Sequence, residues 1–105
     1  MKVQFSERAL AYLKAEQAYL GRFDKRAARA LVRQIRKVAE IIGEYPQSAQ
    51  AVPMLPGVRR YVSAPYVIDY TEKGGVIVVV AIRHGRQNPI APDQGDDLPD
   101  QFEVQ

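Results

Sequence analysis

One hundred and five residues make a single domain with a modest core and are too few for two. The chain is 47% hydrophobic and 26% charged, ordinary for a globular protein, and its lack of cysteine excludes a disulfide scaffold, thiolate catalysis and a cysteine-based zinc site. A net charge of +3 conceals a split: residues 1 to 86 hold all 15 Lys and Arg with seven of the 12 acids, a body of +8, while Asp93, Asp96, Asp97, Asp100 and Glu103 give the end −5.

A body this basic attracts polyanions through counterion release and steering, so nucleic acid or an acidic protein is the expected partner. The plainer reading is that the charge keeps a small protein soluble. No stretch approaches the ~18 apolar residues of a membrane span, and the N-terminal MKVQFSERAL lacks the apolar core of a signal peptide. A cytoplasmic protein with no membrane partner is expected.

Lys2 to Phe5 alternates apolar and polar residues, as a short strand does. Ser6 is a good N-cap and Glu7 suits the positive end of the helix dipole, so a helix is predicted to about Leu20, ended by Gly21. Asp24 caps a second helix over Lys25 to Glu44. There Leu31, Ile35, Val38 and Ile42 form an apolar stripe, and Arg22, Arg26, Arg29, Arg33 and Arg36 form a basic one about half a turn round. Gly43 and the Tyr45-Pro46 pair end it, because a residue before proline is pushed out of the α region. Two helices with a short connection make an antiparallel hairpin whose apolar side needs a sheet to cover.

Gln47 to Pro56 reads as a loop. Strands are predicted over Val58 to Ser63, Tyr66 to Glu72 and Val76 to Ile82, joined by Ala64-Pro65 and by Lys73-Gly74-Gly75, whose glycines accept the positive φ of a tight hairpin turn. The last strand is apolar throughout, which predicts a central strand covered on both faces. Behind it comes the basic run Arg83-His84-Gly85-Arg86-Gln87. Beyond Pro89 the sequence is polar, acidic and broken by Pro92 and Pro99, and little regular structure is expected. The fold class is therefore α+β, in the order β-α-α-β-β-β: a small antiparallel sheet with a helical hairpin packed on one face. Residues 1 to 89 form the domain and residues 90 to 105 an acidic tail.

The opening strand with Ser6-Glu7-Arg8-Ala9, the helical hairpin, Leu55-Pro56-Gly57-Val58-Arg59-Arg60, Pro65-Tyr66-Val67-Ile68-Asp69-Tyr70 and Ile82-Arg83-His84-Gly85-Arg86-Gln87 together resemble the RelE/ParE superfamily of toxins from type II toxin–antitoxin systems, leaning toward the ParE branch. The resemblance implies a growth-inhibiting toxin neutralised by a cognate antitoxin that wraps across helices and sheet. ParE-like members are associated with poisoning of DNA gyrase and have no established active site. RelE-like members cleave messenger RNA on the ribosome, which requires a group to activate the 2′-hydroxyl, a cation for the growing phosphate charge and a donor for the leaving oxygen.

Against the RelE pattern, Val67 stands where an arginine follows the strand-opening tyrosine, Pro92 falls where an aromatic is expected, and His84 precedes Gly85 rather than a tyrosine. Arg86 matches a basic position of the ribonuclease site, and Arg59 and Arg60 lie near its other cations. An incomplete catalytic set favours gyrase as target; the alternatives are a ribosome-dependent endoribonuclease using His84 or Arg86, and a non-toxic interaction module of the same fold. Whether the chain is an enzyme turns on that choice.

The target-binding candidates are Arg59, Arg60, Arg83, His84, Arg86 and Gln87. His84 is the one side chain whose ordinary pKa lies near neutrality, so it is either the acid–base group or a structural hydrogen-bonding residue. Arg83 and Arg86 can grip phosphate or carboxylate oxygens, or simply be solvated. Arg59 and Arg60 are strand neighbours and must point to opposite faces, so at most one can join a single sheet-face site. Arg26, Arg29, Arg33 and Arg36 are the antitoxin-binding candidates. Tyr61, Tyr66 and Tyr70 can stack on bases or pack in the sheet. No spacing of metal ligands occurs, and neither metal nor cofactor is expected.

Overall fold

The computed structural model describes residues 1–85, which run as β1 (Lys2–Phe5), α1 (Glu7–Gly21), α2 (Lys25–Glu44), β2 (Gln50–Ala51), β3 (Val58–Ser63), β4 (Tyr66–Lys73) and β5 (Val76–His84). Arg86, Gln87, the boundary at residue 89 and the acidic tail lie outside the described residues. The five strands form one sheet in the order β1-β5-β4-β3-β2, and both helices lie against one of its faces. No described helix is long and apolar enough to cross a membrane.

The helices begin where their capping chemistry dictates. Ser6 Oγ accepts from the Ala9 amide at 3.1 Å, and an Asp24 carboxylate oxygen accepts from the Arg26 amide at 2.9 Å. The apolar stripe of α2, Leu31, Ile35, Val38 and Ile42, is buried against Ile68 and Tyr70 of β4 and Ile77, Val79 and Ile82 of β5. Gln34, beside that stripe, donates from Nε2 to the Ser63 carbonyl at 3.0 Å and to the Ala64 carbonyl at 2.9 Å, tying α2 to the β3–β4 turn. At its far end Gly43 comes so close to the N-terminal strand that a Cβ would stand 2.7 Å from the Met1 carbonyl oxygen.

Four features differ from the sequence reading. The sheet is mixed, because β1 pairs with β5 in parallel, Val3 opposite Ile77 and Phe5 opposite Val79. The helical hairpin and three strands separate them in sequence, a connection ample for a parallel partner. Part of the Gln47 to Pro56 loop forms β2, which pairs Gln50 with Arg60 and Ala51 with Arg59. Next, β5 runs on through Arg83 and His84, which pair with Val67 and Tyr66, so both belong to the strand rather than to a loop behind it.

Finally, β5 is covered on one face only among the described elements. Ile77, Val79 and Ile82 are buried under the helices, while Val76, Val78 and Ala81 on the other face remain partly exposed. The strand's parity also changes midway. Asp69 pairs with Ala81 but Tyr70 pairs with Val79, so Val80 is an extra, bulged residue. Its carbonyl accepts from the Ser6 hydroxyl at 3.2 Å, and the Val79 carbonyl accepts from the Ser6 amide at 2.9 Å, so the cap of α1 is fastened to the bulge.

Candidate functional site

Strand alternation and the bulge sort the candidate residues onto two faces. β3 and β4 pair Arg60 with Asp69 and Arg59 with Tyr70. Tyr70, 1% exposed in the core, marks the helix side, so Arg59 points under the helices and Arg60 points away from them. Arg59 Nη1 donates to the Ala49 carbonyl at 2.6 Å and fastens the loop after α2. Beyond the bulge, Arg83 falls on the same face as Arg60, and His84 falls on the helix side opposite Tyr66.

On the face away from the helices, Asp69 sits between two arginines. Arg60 grips it with a fork, Nε to Oδ1 at 2.8 Å and Nη2 to Oδ2 at 3.0 Å, and Arg83 Nη1 lies 3.7 Å from Oδ2. Two guanidiniums thus share one carboxylate that is only 6% exposed, a cluster of net +1. The hydrogen bond to Asp69 holds the Arg60 pKa above its usual value. Burial pushes Arg83 the other way, with Asp69 opposing and Arg60 reinforcing the shift. Arg83 Nε is buried and has no acceptor among the described residues. A guanidinium never loses its proton near neutrality, so the cluster's charge is permanent. It is suited to holding an anionic oxygen group, and its one carboxylate, Asp69, is already engaged by the Arg60 fork.

On the helix side, Tyr66 donates to Glu16 Oε2 of α1 at 2.7 Å and stands edge-on to Tyr12 at 6.4 Å and to His84 at 5.7 Å between ring centroids. Burial first, then the Glu16 carboxylate, raise the pKa of the Tyr66 phenol well above its usual value. The same two causes, with Tyr66 itself, raise Tyr12. These phenols are neutral donors at physiological pH. His84 and Arg83 are consecutive and stand on opposite faces, so the sheet itself separates the imidazole from the Arg60–Asp69–Arg83 cluster.

The basic stripe of α2 is exposed at Arg26, Arg29, Arg33 and Arg36. Arg26 lies 3.9 Å from its own cap, Asp24, both well exposed, an ion pair worth at most ~1 kcal/mol. Arg29, Arg33 and Arg36 form no ion pair with a described residue. Beside them an apolar groove of about 370 Å³ opens between the helices, lined chiefly by Leu10, Leu13, Leu31, Val32 and Ile35, with Lys14 and Arg36 also on its wall.

The fold and this arrangement can be set beside known proteins. The model of the ParE toxin of type II toxin–antitoxin systems (parDE) matches residues 3–89. This chain belongs to the ParE toxin family. Among its relatives, Toxin RelE2 of Caulobacter vibrioides is 33% identical over 84 residues, covering 79% of this chain and 93% of that protein. A solved structure of the chromosomal ParDE TA system from P. aeruginosa superposes with a TM-score of 0.69 at 22% identity, over 80% of this chain and 95% of that one, which is agreement of fold.

In this ParE-family chain the candidates therefore divide. Arg60 and Arg83 come together, His84 joins a tyrosine–carboxylate cluster on the other side, and Arg59 serves the loop. Two participants escaped sequence reasoning, Asp69 and Glu16. Asp69 did leave a trace, as the one acid in Tyr66-Val67-Ile68-Asp69-Tyr70, out of phase with the two tyrosines that flank it. Glu16 left none, since one exposed-looking acid on a helix is ordinary.

Proposed function

We propose that this ParE-family chain is a growth-inhibiting toxin that acts by binding DNA gyrase and is neutralised by an antitoxin held across α1 and α2. The observation that carries the gyrase reading is the separation of Arg83 from His84. An RNA-cleaving site needs an acid–base group and a phosphate-gripping cation on the same phosphodiester. Here the one histidine lies beneath the helices beside Tyr66, while Arg60 and Arg83 lie across the sheet from it. What the described residues leave on the open face is a binding surface of two cations around one carboxylate that Arg60 already holds.

The antitoxin reading is supported by the groove between α1 and α2. Its leucines, with Leu10 42% exposed, ask for an apolar ridge, and Lys14, Arg29, Arg33 and Arg36 ask for acids beside that ridge. An amphipathic helix with an acidic flank meets both requirements. Glutamate at Arg29 and Arg33 should weaken antitoxin capture and leave toxicity intact.

The deciding experiment incubates purified full-length protein with gyrase, ATP and supercoiled plasmid. Protein-linked linear plasmid is the expected product, and alanine at His84 should leave its yield within about twofold. Messages cut on the ribosome by the wild-type chain, with loss of cutting in the His84→Ala variant, would replace this reading with the ribonuclease one. Normal growth on expression, with neither product, would leave an interaction module.

A further inference from the structure

The face of the sheet turned away from the helices carries six small aliphatic side chains around the charged cluster: Val58 and Val62 of β3, Val67 of β4, and Val76, Val78 and Ala81 of β5. The pairing register puts them on the side of Arg60, Asp69 and Arg83. All are partly or fully exposed, Val62 to 66%, and no described element packs over them. The strand tyrosines point the other way. Tyr66 and Tyr70 are 4% and 1% exposed under the helices, and Tyr61 packs against the same core.

This division bears on what the face can hold. A single strand of nucleic acid is gripped by rings that stack on its bases together with cations that follow its phosphates. Here no described residue supplies a ring, and without rings a face grips phosphates but not bases, although the register adds Lys2 and Lys73 to the cluster's net +1. An aliphatic protein segment matches the valines, and a single carboxylate matches the planar donors of two arginines that already share one carboxylate between them. Arg83 Nε has no acceptor among the described residues and Arg83 Nη1 stands 3.7 Å from Asp69 Oδ2, so Asp69 leaves part of this guanidinium's donor set unused.

We propose that this face is a protein-docking surface, taking from the toxin's target an aliphatic segment with one Asp or Glu whose carboxylate completes the shell of Arg60 and Arg83. The inference deepens the function proposed above and rests on it only for the identity of the partner. The recognition chemistry stands on the face itself. Asp69 then acts as a positioning residue: it fixes the Arg60 fork while leaving the cluster a surplus positive charge for the incoming acid.

Two experiments on the full chain test it. In the first, the guanidinium Nε–Hε signals of Arg60 and Arg83 are followed by NMR in 150 mM salt while acetyl-Val-Asp-Val-amide, acetyl-Val-Asn-Val-amide or octathymidylate is added. The Asp peptide should move both signals, with the Asn peptide at least tenfold weaker and the oligonucleotide without effect. Movement with octathymidylate and not with the Asp peptide, or with neither, overturns the proposal. So does movement on raising protein concentration alone, which gives the face to a second copy, or NOEs from the Val78 methyls to residues 90–105, which give it to the chain's own acidic end.

In the second, Val62→Glu, at a position 66% exposed, is compared with wild type in the gyrase assay once its melting temperature is found to match. A tenfold or greater loss of linear plasmid is expected, since the new acid repels the target's own. Unchanged linearisation overturns the assignment of this face to the target. A wild-type chain that traps no gyrase defeats the gyrase reading alone, and the peptide titration then decides the docking chemistry by itself.

Discussion

Replacing Gly43 by alanine pits two well-measured effects against each other. Helix propensity alone favours the change, since alanine is better than glycine in a helix interior by about 1 kcal/mol. The packing at this position opposes it. The added methyl carbon would meet the Met1 carbonyl oxygen at 2.7 Å and Val3 Cγ2 at 3.1 Å, and the first of these is backbone, which cannot swing aside as a side chain would. Either β1 or the end of α2 must shift, and the shift also strains the 2.7 Å hydrogen bond from the Met1 amino group to the Gly43 carbonyl. Overpacking costs typically 1–3 kcal/mol, and weakening a charge-assisted hydrogen bond adds about 1 kcal/mol, so the balance is a net loss of about 1–3 kcal/mol.

Gly21 supplies the internal control. A methyl there would meet only Ala28 Cβ at 3.8 Å, an ordinary contact, so Gly21→Ala should be neutral or stabilising. In a domain of this size ~1 kcal/mol moves the melting temperature by about 4–8 °C. Calorimetry should therefore find the Gly43 variant at least about 4 °C below wild type and the Gly21 variant at or above it. If Gly43→Ala melts at or above wild type, the close approach of β1 to the end of α2 is wrong.

Three further outcomes follow from named contacts. Asp69→Asn leaves two arginines facing a neutral amide and should lower stability in urea by about 1–3 kcal/mol, after discounting for the partial exposure of both partners, with the m-value unchanged; a loss below about 0.5 kcal/mol would show that the cluster does not hold the strands. Tyr66 keeps its proton to higher pH in the folded chain than in the unfolded one. Its contribution is therefore full below the ordinary phenol pKa of ~10 and declines as pH rises beyond it. The stability difference between wild type and Tyr66→Phe should accordingly narrow between about pH 9 and pH 11, and a constant difference contradicts the buried phenol. Gln34→Ala removes the donors that hold the β3–β4 turn to α2 and should cost about 1 kcal/mol. Hydrogen exchange should then quicken at the Ser63 to Tyr66 turn before it does elsewhere.

The two helices were legible because their signals are local. Ser6 and Asp24 announce the starts, and the α2 stripe from Leu31 to Ile42 turns with the helix. The turn at Gly74-Gly75 was legible for the same reason, both residues having positive φ. What the chain concealed were the non-local choices. Four residues of strand, Lys2 to Phe5, carry no mark of which neighbour they will meet or in which direction. Two residues, Gln50 and Ala51, are too few to show any period. The run Val76 to Ile82 concealed most, since uniformly apolar residues show neither which face is open nor that Val80 is an extra residue. For that reason the partition of Arg83 from His84, on which the functional reading depends, had to come from coordinates.

That one extra residue has a consequence for how such a chain can change. Deletion of the codon for Val80 would make Val79 and Ala81 neighbours, the spacing that an unbulged strand opposite Tyr70 and Asp69 requires, so Ala81 to His84 would keep their faces. The cost falls on the Ser6 hydroxyl, which would lose the Val80 carbonyl that fastens the start of α1. A chain one residue shorter at this point therefore keeps cation and imidazole on their separate sides, and the ribbon absorbs there a change of length that a regular strand would turn into an exchange of faces.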